Sequence, residues 1–420
     1  MKRRSFFDRF VQVSAYVFLA LLGLLIASAC VELNLYATRG MGGGGEFLLP
    51  WKAARGFLFE KIEPYGGAVA SYVQEQVYGR PAAPGEKLYV LSLPFHLLML
   101  YFPVGILGDS VLARGIDLFL SEMGLLALTF LSLRLTGWQP RRFFLIAFFL
   151  FAGWNFYTLR ALFEASPICL LGLLYAGILL SLRAGLDELA GVFMALSFYQ
   201  WETGGLFLFL ILLRVFYQRR WQVLAGFFML NVVLLLISFF IYPGWLLPFA
   251  RGVLANWVTP HGFSTGEVLS RLWPASGGWL AWALTALLVI ILIVEWSAAR
   301  GAEFPRFYWV ACLTLSATPL LGFRSEIESL AVLILPLAVI FAFVRARWKA
   351  GYWVSSTLLA LSFAAPWFLF FDSALSLQLR QDVIFLFLPI FTVVGLYWVR
   401  WWAIRPPLTW LERATHPEYQ

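Results

Sequence analysis

Ala15-Tyr16-Val17-Phe18-Leu19-Ala20-Leu21-Leu22-Gly23-Leu24-Leu25-Ile26-Ala27-Ser28-Ala29-Cys30 is an apolar run without a single charged side chain. Similar runs recur along the chain, as from Ala286 to Val294. A membrane-crossing helix needs about 20 predominantly apolar residues to span about 30 Å of hydrocarbon. In that medium the backbone must satisfy its own hydrogen bonds, so helices are expected and open sheets are not. A β-barrel would show short alternating segments instead. Composition agrees: 61% of residues are hydrophobic and 13% charged, against about 25% charged in a typical soluble domain. The sequence therefore predicts an all-α polytopic membrane protein.

The net charge of +8 does not indicate a nucleic-acid partner. The basic residues sit mostly at the ends of apolar segments, where they set orientation in the membrane lipids. Cys30, Cys169 and Cys312 all fall in or beside apolar segments, so no disulfide framework is expected. Ala27-Ser28-Ala29-Cys30 has the small residues of a signal cleavage site. The apolar run before it exceeds the roughly 7–15 residues of a signal core, so a retained anchor is expected.

Basic flanks then order the topology. Lys2, Arg3, Arg4 and Arg9 hold the N-terminus in the cytoplasm, so the first span, residues 11–33, exits outward. Residues 36–87 are then external. Residues 88–107 contain Pro94, His96 and Pro103 and fit an interfacial helix on the outer leaflet. Were they to cross, Arg134, Arg141 and Arg142 would face outside. Alternation continues through 112–135, 143–163, 167–183, 188–201, 204–217, 222–242, 277–296, 307–323, 329–344, 352–371 and 382–399. The result is about twelve spans with both termini cytoplasmic. A large first external loop with interfacial helices covers 36–110, a second covers 243–275, and a basic tail covers 400–420. The pair 188–201 and 204–217 is short for full spans, which implies re-entrance or a thinned bilayer.

Polar groups gather on the predicted outer face. Glu46 follows Gly42-Gly43-Gly44-Gly45, and such a run permits positive φ and close backbone approach to a ligand. It lacks the following Gly-Lys-Ser/Thr of a phosphate-binding P-loop. Glu202, in Tyr199-Gln200-Trp201-Glu202, lies between two apolar segments, where an ionisable group is expensive and tends to be functional. His96 and His261 could each bind phosphate or shuttle a proton. Arg324, in Gly322-Phe323-Arg324-Ser325-Glu326, either grips a lipid phosphate with paired hydrogen bonds or pairs with Glu326 or Glu328. No His, Asp or Glu spacing reads as a metal site, and no cofactor is expected.

The order of these features resembles the GT-C superfamily of polyprenyl-phosphate-sugar-dependent glycosyltransferases, and within it glycosyltransferase family 87, bacterial mannosyltransferase-like proteins. The likeness is strongest over residues 45–135. It rests on Glu46-Phe47, on Trp51-Lys52-Ala53-Ala54-Arg55, on Glu63-Pro64-Tyr65 and on Leu91-Ser92-Leu93-Pro94-Phe95-His96. The family usually has Asp where Glu46 stands, and its Tyr-Pro-Pro element keeps only Pro94 here. The resemblance implies a GT-C-like bundle that moves a hexose, mannose first among them, to a lipid or glycan acceptor with inversion. Glu46 would be the catalytic base. Arg324, helped by His261 or Lys87, would neutralise the leaving phosphate, while His96, Glu202 and Tyr65 would complete the substrate-binding set. A different class, a transporter or flippase of lipid-linked or small polar substrates, draws on Glu202 and the two short spans.

This topology is checked by cysteine labelling. A cysteine introduced at Ser325 should react with a membrane-impermeant reagent in intact cells. One at Gln139 should react only after permeabilisation, and external labelling of Gln139 would reject the assignment.

Overall fold

In the computed structural model, which describes residues 6–404 other than Met41, Pro84, Thr259, Pro260 and Lys349, helix is the regular element throughout. Among the described residues, extended pairing is limited to an isolated antiparallel bridge between Phe263 and Ser325. Seven described helices are long and apolar enough to cross a membrane: Ser110–Thr136, Asp187–Tyr217, Trp221–Ile241, Gly277–Ala299, Ile327–Ala346, Gly351–Phe371 and Leu377–Ile404. The bent pair Arg142–Trp154 and Phe156–Phe163 adds an eighth if it counts as one crossing. The all-α, multi-helix architecture expected from composition is present. The leading helix, Phe6–Gly40, outruns the expected 11–33 at both ends. Lys2, Arg3, Arg4 and the tail from Arg405 onward lie outside the described residues.

Ile327–Ala346 is the hub, with 94% of its apolar window buried inside the protein, against 17% for Trp221–Ile241. The two are equally apolar, so apolarity alone does not separate a central helix from a lipid-facing one. Ser110–Thr136, Gly351–Phe371 and Leu377–Ile404 pack around the hub.

Residues 142–163 bend by 45° at Asn155. The Asn155 side-chain amide donates to the carbonyls of Phe151 and Ala152, and its oxygen accepts from the Thr158 amide. One buried side chain thus serves the end of one helix and the start of the next. Backbone groups that hydrocarbon would leave unpaired are satisfied.

Residues 187–217 are helical throughout, and a straight run of that length would reach about 46 Å. The run instead folds back, so it has the length and composition of a crossing without being one straight helix. Arg220 engages both carboxylate oxygens of Asp187, which brings its two ends together. The reversal lies in the 3-10 turn Ser197–Gln200, where Gln200 leaves helical backbone at φ −124° and ψ 86°. Asp187–Leu196 packs against Ile168–Ala184 and Trp221–Ile241, and Trp201–Tyr217 begins beyond the turn with Glu202 in its first turn. At the end away from this turn, Arg183 donates to the carbonyls of Arg134 and Leu135, and Gln218 donates to that of Arg300. Basic residues from four helices thus share one end of the bundle.

Within residues 36–110, expected as an external loop with interfacial helices, Gly45–Arg55 runs into the π-turn Gly56–Glu60, and Gly67–Tyr78 follows. Residues 88–94 carry no regular structure, with Tyr89 in left-handed backbone at φ 51°, and helix resumes only from Phe95 to Gly105. Pro94 biases the residue before it away from helix. Leu91, Leu93 and Phe95 alternate onto one side and bury against Ala53, Ala54 and Trp245.

Asp187–Leu196 meets Trp221–Ile241 backbone to backbone. A Cβ on Gly191 would stand 2.1 Å from the Val223 oxygen, and one on Gly226 would stand 2.4 Å from the Glu188 oxygen. Small residues make such contact possible. Gly191→Val should therefore part the helices and cost about 1–3 kcal/mol or more, read as a lower midpoint of thermal unfolding in detergent. Gly153→Val, whose Cβ meets nothing within 4 Å, should leave that midpoint closer to wild type.

Candidate functional site

The glycine run ends in the turn that opens the helix Gly45–Arg55. Gly43 and Gly44 adopt left-handed backbone, with φ of 84° and 79°. A Cβ on Gly44 would lie 2.4 Å from Arg114 Nε, and one on Gly45 would lie 2.3 Å from the Tyr89 ring. The sequence suggested that these glycines make room for substrate; the structure gives the space to Arg114 and Tyr89. Arg114 donates to the carbonyls of Gly42 and Phe163, at 3.1 and 2.8 Å, and so holds the turn in shape. Glu46 follows in the first helical turn, where a carboxylate is favoured by the positive end of the helix dipole.

Glu46 lines a cleft of about 710 Å³. The walls come from segments remote in sequence: Lys87 to Leu93, the Tyr199-Gln200-Trp201-Glu202 turn, Val253 to Trp257, His261, and the stretch from Gly322 to Ser329. The predicted residues Glu46, Lys87, Glu202, His261 and Arg324 are all brought together here. Tyr65 and His96 are not among the lining residues. Tyr65 donates to the Leu93 carbonyl at 2.8 Å, and His96 packs edge-on against Trp245. Both support the apolar layer beneath the cleft. Burial holds the His96 imidazole below the ordinary histidine range and the Tyr65 hydroxyl well above that of an exposed tyrosine.

Lys87 is the central cation. Its ammonium pairs with Glu46 and stands 3.4 Å from Glu326. Burial alone would lower its pKa, but Glu46 and Glu326 prevail and hold it well above the usual lysine value. Arg324 pairs with Glu267 and not with Glu326 or Glu328, the partners its spacing suggested. Glu328, 6% exposed, takes its cation from Arg160 at 3.1 Å. Sequence reasoning overlooked Arg160, although a lone arginine inside Phe156–Phe163 was a visible signal.

His261 stands beside Gly262, whose φ of 85° lets the chain pass close to Ser325. Phe263 and Ser325 exchange both backbone hydrogen bonds, at 2.9 and 3.0 Å. This clasp fixes the loop of His261 against the loop of Arg324. The His261 Nε2 is buried without a hydrogen-bond partner. Burial first, then the Lys87 charge, holds His261 below its usual range, which favours the neutral imidazole. Tyr199, in the lining, joins Tyr101 behind it hydroxyl to hydroxyl at 2.8 Å, and the exposed Trp201 and Trp257 also line the cleft.

The lining therefore sets the carboxylates of Glu46, Glu202, Glu326 and Glu328 against the cations of Lys87 and Arg324. Both cations are already paired with acids. An anion that enters must draw at least one of them from its carboxylate partner. Among the described residues, no group of three or more His, Cys, Asp or Glu side chains is placed to hold a metal ion.

No protein-family model matches the chain, and comparison with curated proteins finds no match.

Removal of the central cation leaves Glu46 and Glu326 facing each other. Lys87→Met should lower stability by about 1 kcal/mol, since the pairs are partly screened by solvent. Glu326→Gln in the Lys87→Met background should recover part of that loss, read by thermal unfolding of the four proteins of the double-mutant cycle. The folded pKa of Lys87 lies above its ordinary value, so the contribution is complete below 10.5 and fades as pH rises through the folded value. The gap between wild type and Lys87→Met should thus be flat through neutral pH and narrow only in strong alkali.

Proposed function

We propose that this protein is a GT-C-type membrane glycosyltransferase that moves a hexose from a polyprenyl phosphate sugar to a lipid or glycan acceptor. The observation that carries the reading is the convergence of Glu46, Lys87, Arg324 and His261 in one cleft. These residues come from the first polar segment and from two loops more than a hundred residues downstream. A carboxylate, two cations and a neutral imidazole around one cavity match the needs of a displacement at an anomeric carbon.

In this mechanism the donor phosphate enters and attracts Lys87 and Arg324. Lys87 exchanges its contact with Glu46 for the phosphate, which frees the carboxylate. Glu46 takes the proton of the acceptor hydroxyl as that oxygen attacks the anomeric carbon. The carbon–oxygen bond to phosphate breaks, and its electron pair leaves with the phosphate. Lys87 and Arg324 stabilise the charge that develops there. One displacement inverts the anomeric configuration. The exposed faces of Trp201 and Trp257 suit an apolar face of a sugar or the start of a polyprenyl chain.

We also read the bundle as about twelve crossings, with the cleft on the extracytoplasmic face of the plasma membrane and both termini inside. The shared basic end of Arg134, Arg183, Arg220 and Arg300 supports this orientation.

Purified protein in lipid nanodiscs, given a panel of polyprenyl phosphohexoses and a lipid acceptor, should release free polyprenyl phosphate. Glu46→Gln should lower kcat by about 10²–10⁴ and leave donor binding largely intact. Wild-type turnover by Glu46→Gln would overturn the assignment of the base. Substrate movement across proteoliposomes without a covalent product would overturn the enzyme reading in favour of a transporter.

A further inference from the structure

A second, smaller cavity of about 210 Å³ opens between the start of the helix Phe304–Ala317 and the end of the helix Leu377–Ile404, lined by Arg306, Arg400, Trp401 and Ile404. It lies at the basic end of the bundle, roughly 25 Å from the cleft if the helical rise from Arg306 to Leu321 is followed. Arg183 stacks over Phe304 nearby at 5.3 Å, which ties this corner to the other basic residues.

Two guanidinium groups share the small space. Arg400 turns one edge to Glu295: its Nε and Nη2 both lie 2.7 Å from Glu295 Oε1. This side-on contact leaves the Nη1 edge pointing away from the carboxylate. Among the described residues Arg306 has no carboxylate partner, and its Nε is buried without a hydrogen bond. Glu295 Oε2 is likewise buried and unpaired. The carboxylate offsets one of the two positive charges, so the cavity keeps an excess of one. A buried N–H without an acceptor costs about 1–3 kcal/mol, and an anion between the two guanidinium groups would remove that cost.

The surroundings identify the kind of anion. Trp401 is 59% exposed and Trp398 46% exposed on the same helix, the pattern of a side chain belt at the level of lipid headgroups. Basic pockets between membrane helices on the cytoplasmic side are suited to phosphate headgroups, and arginine forks bind phosphate oxygens in pairs. We propose that the cavity of Arg306, Arg400, Trp401 and Ile404 binds the phosphate group of an anionic phospholipid. The site is separate from the cleft and does not depend on the reaction assigned to it.

The test uses full-length protein stripped of lipid in detergent and titrated with phosphatidylglycerol, phosphatidylcholine or inorganic phosphate, with thermal midpoint as readout. Phosphatidylglycerol should raise the midpoint of wild type in a saturable way, and phosphatidylcholine should not. Arg306→Gln should weaken the apparent affinity about tenfold or more, the scale of one charge-assisted hydrogen bond, and Arg306→Lys should restore part of it. Arg306 is the chosen position because loss of Arg400 would strand the buried Glu295. A response to inorganic phosphate as well would mean that the phosphate group alone suffices; a response only to phosphatidylglycerol would mean that the lipid is required. Equal titrations for wild type and Arg306→Gln, or no response to either ligand, would overturn the proposal.

Discussion

Backbone hydrogen bonding in hydrocarbon is the constraint from which this architecture follows. Apolar surroundings offer no water to a free N–H or C=O, so each segment inside them must be helical or must carry its own caps. Irregular backbone is accordingly confined to the ends of the bundle, or is served by a side chain, as Asn155 serves the bend within residues 142–163. Left-handed Gly322, the irregular stretch before Pro94 and the loops joined by the Phe263–Ser325 bridge lie around one cleft, while left-handed Gly137 and Gly185 close helices at the basic end. Irregular backbone and polar side chains coincide at the ends of the bundle because there they can be solvated together.

Within that end, charge assembles what the chain keeps apart. Lys87 joins the segment before the irregular stretch to the loop that carries Glu326, while Arg324 reaches Glu267 and Arg160 reaches Glu328. The Lys87 and Arg324 pairs are partly exposed and so modest in energy, whereas the Glu328 carboxylate is buried against Arg160; all are specific in geometry. The aromatic and aliphatic layer of Leu91, Leu93, Phe95 and Trp245 supplies the rigid floor beneath them. Tyr65 and His96 belong to that floor, which explains how residues beside the relevant motifs stay out of the cleft.

The helical class was legible because apolar content is a local property of sequence. Which helix occupies the centre was not, since Ile327–Ala346 and Trp221–Ile241 have the same hydropathy and differ only in their neighbours. Residues 91–95 carried a period-two signal in Leu91, Leu93 and Phe95, but a stretch long enough to read as a span averages it away. Glu46, Lys87, Glu202, His261 and Arg324 were each visible as polar residues at segment ends. Their partners were not, because Lys87 and Glu326 are joined only through the tertiary fold. The glycine run announced positive φ correctly, but no local feature disclosed that Arg114 and Tyr89 would fill the space it opens.

The clasp between Phe263 and Ser325 bears on how this protein can vary. Two reciprocal backbone bonds lock the loop of His261 to the loop of Arg324 in a single register. A residue inserted into or deleted from either loop would slip that register and turn His261 or Arg324 out of the cleft. Surface loops in general tolerate changes of length, yet these two should tolerate substitution far better than insertion. Among descendants of this sequence that keep the cleft, the spacing from His261 to Phe263 and from Arg324 to Ser325 should be held fixed even where the intervening helices drift in length.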